Sequence, residues 1–572
     1  MLAMWFLIFY ATAMATVVAA NGNKMESRSS ASADRPAHAR ELPNIQWVRD
    51  GVVLASASEL KVSRTGENIK TGSVDLTAGR RWARFAWQAG EEYEFTIAGR
   101  AVRLRAPQAP TPIALHTVAL EDVGQAAAAG SAPDAVVRFS PDGRQLAIGS
   151  FGGWLRIVDA HNGTLLHRRR IVEGMVKQLA WSPDGSRLYV GEQSPDARLL
   201  AISVETDTSG TIALRDAWSL RLADQLHTSR PPAEDRYGIY TLPAVYDLHV
   251  VEDGRLYVAG VHSWREGGEP RKRCVVYCIN ADGTTRWRFP AEDAWSNSVT
   301  HLAVDPRGTK VIFLPGPIRG ESDNLQLPAN TVYQLDAATG RVAARLEIAP
   351  LRPHFTHVES WDSVSLSDDA ATAVVGLADG RAFLLSSTER ALDVVHQFDL
   401  GTPLVVGQIP VAAACSYARI FGNQVYLQTQ NSHIPFGNPA AAHRAPSLHR
   451  GANTLTVADL SGKTQWKYRG PYALGGVWSN HRPASYAPGR LVATCRPLPE
   501  QTAPAAFGLL LFDLGRAGGG RDRLVYHYPT AGPVGFAADV SADGRLIAVV
   551  EVPAPTPDGE SLYGTYQVHV VH

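Results

Sequence analysis

The sequence predicts an all-β ring, an eight-bladed β-propeller with seven blades as the alternative count, preceded by a smaller β domain. Three observations predict it. A strand–turn–strand unit recurs along most of the 572 residues. A third strand and a second tight turn follow most copies, and residues 42–107 carry a separate strand-and-turn pattern outside the repeat.

The unit is clearest in VVRFSPDGRQLAIGS (136–150), VKQLAWSPDGSRLYVG (176–191), VYDLHVVEDGRLYVAG (245–260), VTHLAVDPRGTKVIFL (299–314) and VGFAADVSADGRLIAVV (534–550). Each alternates apolar and polar residues on both sides of a Gly-containing turn, the signature of a hairpin. Looser copies are SVSLSDDAATAVVGL (363–377), AACSYARIFGNQVYLQ (413–428) and RPASYAPGRLVATC (482–495), which brings the count to eight. Segments such as WLRIVDAHNGTLLHRR, CVVYCINADGTTRWRF and TVYQLDAATGRVAARLE add strands three and four. One four-stranded meander cannot bury both of its apolar faces, so neighbours must pack on it, and units of this length describe propeller blades.

The last unit stops at its third strand, YQVHVV. A lone strand-like stretch, Pro112–Leu120, precedes the first full unit and is expected to supply the missing outer strand. That pairing joins the two ends of the ring and removes an exposed edge.

The SPDG turns resemble those of bacterial WD-repeat propellers, while DAATGRVAARLE, NADGTTRWRF and LSGKTQWKYR resemble the turn-plus-tryptophan repeats of quinoprotein (PQQ)-like propellers. The resemblance spans roughly residues 110–572 and specifies blade geometry, not function. Trp287 and Trp466 are therefore read as blade-packing residues. Residues 42–107 resemble a reduced fibronectin type III or immunoglobulin-like module, joined by RAPQAPTP to a propeller over 108–572.

Ahead of both, Met1–Ala20 is almost wholly apolar with small residues suited to cleavage, and reads as a secretory signal or, uncleaved, a membrane anchor. Residues 21–41 read as a flexible tether, which places the protein in the periplasm or outside the cell. Lys plus Arg (55) equals Asp plus Glu (55), so no net field steers a polyanion, and nucleic acid is not an expected partner. Among the four cysteines, Cys274 and Cys278 share a strand-like run and stand about 13 Å apart, too far to bridge. Cys415 and Cys495 sit in separate strands and could meet; four buried thiols is the preferred reading.

In a blade the turns between strands one and two, and three and four, share a face of the disc. Here those turns are tight (SPDG, EDGR, DPRG, DAATG, NADG), whereas connections on the other face are long: 262–273, 315–330, 429–453, 496–506 and 552–564. Function is expected on that looped face. Connections between blades reach it with Trp295 and Asn297, with His354, His357, Glu359 and Trp361, and with Trp478, Asn480, His481 and Arg482. These would line a funnel for a small planar or anionic ligand; tryptophan at a fixed repeat phase equally serves blade packing.

His354, His357 and Glu359, or His433, His443 and His449, have no diagnostic metal spacing, and no metal is expected. Nucleophile-elbow, zincin, phosphate-loop and haem-attachment motifs are all absent. The sequon at Asn162 is explained by its Asn-Gly turn. The primary reading is an exported, non-catalytic binding or scaffold propeller without cofactor, whose looped face takes a protein, glycan or small ligand. The alternative is a divergent quinoprotein-like oxidoreductase using PQQ with calcium. The adjacent cysteines that family generally carries are missing.

Overall fold

Ser140 shows how the repeat's turns form. Its hydroxyl donates to Asp142 at 2.6 Å and accepts from the Gln145 N–H at 3.0 Å, while Gly143 takes φ 70°. Ser182–Asp184, Ser367–Asp369 and Ser541–Asp543 repeat the 2.6 Å bond. The Ser-x-Asp-Gly string is thus a turn whose side chains satisfy its own backbone, with glycine where the left-handed region is required. In the looser SDDA copy, Ala370 is forced to φ 61° at that position.

A computed structural model describes residues 45–572 apart from 49, 55–59, 77–79, 109, 112, 129–132, 134, 207–210, 227–241, 267–268, 292–300, 316–330, 350, 352–362, 378, 402–403, 407–408, 434–448, 472, 475–483, 488, 497–506 and 557–558. The first full meander is Ala135–Phe139, Gln145–Ser150, Trp154–Asp159 and Leu165–Arg170, antiparallel and in that order. Burial falls outward along it: the inner strands are buried on both faces, and the outer strand alternates. This is the pattern of a radial sheet sandwiched by neighbours near the axis and wet at the rim.

The same meander recurs over 175–221, 244–289, 303–347, 364–399, 409–469 and 484–529. The final sheet takes Val534–Val540, Ile547–Glu551 and Gln567–Val571 from the end of the chain and Ala114–Ala119 from before the first meander. The expected closing strand is therefore found, with His569 opposite Thr117 and Val570 opposite His116.

Inner strands Ala484–Ala487, Val534–Val540, Ala135–Phe139, Met175–Trp181 and Ala244–Val250 neighbour one another in that order. So do Ala303–Val304, Val364–Leu366 and Ile409–Phe421. The Leu302 N–H, donating to Asp247 at 2.9 Å, links the two series, and one apolar cluster joins Tyr417 and Tyr426 to Leu491 and Ala493.

A recurring latch joins neighbouring sheets at the rim. Trp218 Nε1 donates to the Ala281 carbonyl, and Trp287 Nε1 to that of Ala337, both at 2.9 Å. Each indole lies so close over the hairpin glycine that a methyl there would stand 2.7 Å (Gly283) or 2.5 Å (Gly340) from the ring. Trp287 is the packing residue its repeat phase implied. His396 covers Gly462, and His116 of the closing strand covers Gly163, in the same way.

Residues 45–105 form two four-stranded sheets, Ile45–Val48, Gly51–Leu54, Arg81–Arg84, Gly72–Asp75 and Glu67–Ile69, Leu60–Arg64, Glu92–Ile97, Arg100–Arg105. Trp47, Val52, Val62 and Phe95 share the core between them. This unit docks on the tight-turn face at the ring's closure. Arg80 donates to the Ala114 and Leu115 carbonyls, and Trp82 meets His572 edge-on at 4.6 Å. All four cysteines are buried.

Candidate functional site

Inner strands run from the looped face to the tight-turn face, so residues just before each tight turn reach the channel at the tight-turn end. There Arg138, Gln178, Asp247, His249, His301, Ser365, Asp368 and Arg419, from six consecutive sheets, line a cavity of about 180 Å³. Aligned on the turn, Arg138, His249 and Ser365 stand two residues before it and Gln178, Asp247 and His301 four before it. In a strand both positions face the same way, toward the axis.

Asp247 is the centre of this cluster. One oxygen accepts from the Leu248 N–H; the other accepts from His249 Nε2 and the Leu302 N–H at 2.9 Å each, with His301 Nδ1 at 4.0 Å. Burial alone would raise the Asp247 carboxyl, but the adjoining imidazoles and the N–H donors outweigh it and hold it well below the usual carboxylate range. Gln178 reaches the Tyr246 carbonyl at 2.7 Å, and Arg419 Nη1 reaches that of Val364 at 2.8 Å, so each also ties its sheet to a neighbour.

A second cleft, about 230 Å³, lies between the N-terminal unit and the ring. Arg516 and Arg545 there stand 3.9 Å from Asp513 and Asp50, and His572 Nε2 stands 2.5 Å from Asp50. It is a paired interface. Deeper in the closing sheet, His569 Nε2 donates to Glu551 at 2.7 Å and the Tyr528 hydroxyl donates to His569 Nδ1 at 2.9 Å.

Trp295, Asn297, His354, His357, Glu359, Trp361, Trp478, Asn480, His481 and Arg482 all lie outside the described residues, as does His443. His449 is buried, its Nδ1 accepting from the Gly451 N–H at 3.0 Å. Among the described residues no group of three His, Cys, Asp or Glu side chains is placed to hold a metal. Asn162 sits in its turn, its side chain accepting from the Thr164 N–H at 2.8 Å. The sequence reading did not single out the channel-mouth residues. Their signal was available as polar side chains at a fixed phase in otherwise apolar inner strands.

Radial four-stranded sheets around a polar axis define the chain as a β-propeller. No protein-family model and no curated protein matches it. Among solved structures it is similar to the C-terminal WD40 domain of Sif2 at 10% identity, covering 80% of this chain and 97% of that one, with a TM-score of 0.45. Sqt1 from Chaetomium thermophilum gives 12% identity, 76% and 95% coverage and a TM-score of 0.46. The Chaetomium thermophilum Sqt1 bound to the N-terminus of ribosomal protein L10 gives 11% identity, 77% and 96% coverage and 0.44.

Proposed function

We propose that this chain is an exported, non-catalytic scaffold: an eight-bladed propeller, closed by the strand before its first blade, that engages a protein or glycan on its looped face. The reading includes the division into a 1–20 signal or anchor, a 21–41 tether, a 42–107 immunoglobulin- or fibronectin-like unit and a 108–572 propeller, in the periplasm or outside the cell.

One observation carries the choice of face. Hairpins Leu256–Glu266/Glu269–Ile279 and Ile409–Phe421/Gln424–His433 stay paired out to Glu266–Glu269 and Val411–His433. Most other first, second and third strands have seven residues or fewer. At about 3.3 Å per residue, the extra length raises two ribbons above the looped face. Ribbons standing on a rigid disc suit recognition of an extended surface. The tight-turn face, by contrast, is partly covered by the 45–105 unit.

A photo-crosslinking residue at Lys272 or Asn431 tests this, with one at Asp142 on the opposite face as control. Adducts with one defined partner from the two hairpin positions and not from Asp142 are expected; adducts from Asp142 alone, or from none, overturn it. Export is read from the N-terminus of the mature chain. Adding PQQ with calcium to the purified protein should leave its absorbance and melting unchanged; a spectral shift would favour the quinoprotein alternative.

A further inference from the structure

We propose that the channel mouth on the tight-turn face binds a small oxyanion, a carboxylate or phosphate group, between Arg138 and Arg419. The site lies on the face opposite the raised hairpins and does not depend on the scaffold reading.

Donors dominate the lining. Arg138 and Arg419 bring two guanidinium groups to the 180 Å³ cavity, with His249, His301 and Gln178 beside them. Gln178, Arg419 and His301 are only 2%, 8% and 9% exposed, so the fold has withdrawn polar side chains from water to build this wall. Arg138 Nη1 and Arg419 Nη1 already donate to the Val137 and Val364 carbonyls, which fixes where the two forks stand. A planar fork held in place is suited to pairing with a carboxylate or phosphate.

Asp247 is the acid that might have drawn a cation instead. Its oxygens already accept from the Leu248 and Leu302 N–H groups and from His249, with His301 alongside, so its charge is answered within the wall. Asp368 opposes an anion, but from an exposed position at the rim. The cavity is smaller than the roughly 300–1,000 Å³ of drug-sized pockets, which limits the occupant to a small ion or to one acidic group of a larger molecule.

Calorimetric titration of the full chain with inorganic phosphate and, separately, with succinate, at constant ionic strength, tests the proposal. Saturable binding of at least one is expected, weakened at least tenfold in Arg138→Gln plus Arg419→Gln and unchanged in Arg516→Gln, which lies in the other cleft. Phosphate alone or succinate alone identifies the source. Because Arg419 also steadies its neighbouring sheet, Arg138→Gln by itself must weaken binding at least threefold in a protein of unaltered melting temperature. No binding of either probe, or binding indifferent to these arginines, overturns the proposal.

Discussion

Acid should loosen the ring at its closure, and His116 is where the charge would enter. Its Nε2 lies 3.0 Å from the Ala160 carbonyl, which only accepts, so the neutral ring carries its proton there. Nδ1 is buried without a partner and packs against Gly163. Burial lowers the His116 pKa, opposed in part by the Ala160 carbonyl and Asp159 and aided by Arg80 and His161. His161, lowered mainly by burial too, pulls the same way.

A folded pKa below the ordinary 6.5 means full stability above that pH, and loss as pH falls through 6.5 toward the folded value. Protonation leaves one buried N–H donor unpaired, worth about 1–3 kcal/mol. At 1.36 kcal/mol per tenfold, and with only about 1.5 pH units between 6.5 and 5 for the linkage to act, opening of the seam should grow about 5- to 30-fold. Hydrogen exchange of the amides in Ala114–Ala119 and Gln567–Val571, corrected for intrinsic rates, reads this between pH 7.5 and 5. His116→Trp installs the latch found at Trp218 and Trp287, and His116→Gln keeps a donor that cannot titrate. Both should blunt the acid response at the seam. If both retain it in full, His116 is not the lever.

Three further outcomes follow from the same geometry. Glu551→Gln weakens the buried hydrogen bond that His569 donates to a charged carboxylate and should cost about 1.5–3 kcal/mol in urea unfolding. Burial would raise Glu551, but His569 and the Thr565 N–H hold it below 4.5, so its contribution is present above that pH and fades below it, a fade the variant should lack. Trp287→Ala should cost about 3–5 kcal/mol, whereas Trp287→Phe should cost less, because the Tyr257 hydroxyl also donates to the Ala337 carbonyl. Deleting residues 112–120 should lower the melting temperature more than deleting 42–107, since it leaves Gln567–Val571 as an unpaired edge; equal melting temperatures would refute closure by that strand.

What could be read in the sequence was local. Ser-Pro-Asp-Gly contains its own hydrogen-bond partners and its own left-handed residue, so the turns and the strands beside them were legible, and from strand count came the missing outer strand that Ala114–Ala119 fills. The rim latch was half legible. Tryptophan after a turn announced packing at Trp287, but His116 and His396 occupy the same place without looking like tryptophan.

The channel mouth was harder because its members lie as far apart as Arg138 and Arg419 and meet only when six sheets are arranged around one axis. Spacing along the chain carries no metal or catalytic signature in that case. What survives in sequence is phase: a polar residue two or four positions before the turn of an inner strand. Conspicuous tryptophans and histidines in long connections drew the sequence reading to the looped face. Arg138 or Gln178, taken singly, is only an ordinary polar residue in a strand, and it becomes informative when the same phase is polar in Asp247, His249, His301 and Ser365 as well. A residue facing the axis of a closed ring meets its equivalents from the other sheets. In a repeat fold of this kind, polarity at a shared inward phase is therefore the sequence feature that reports on a site.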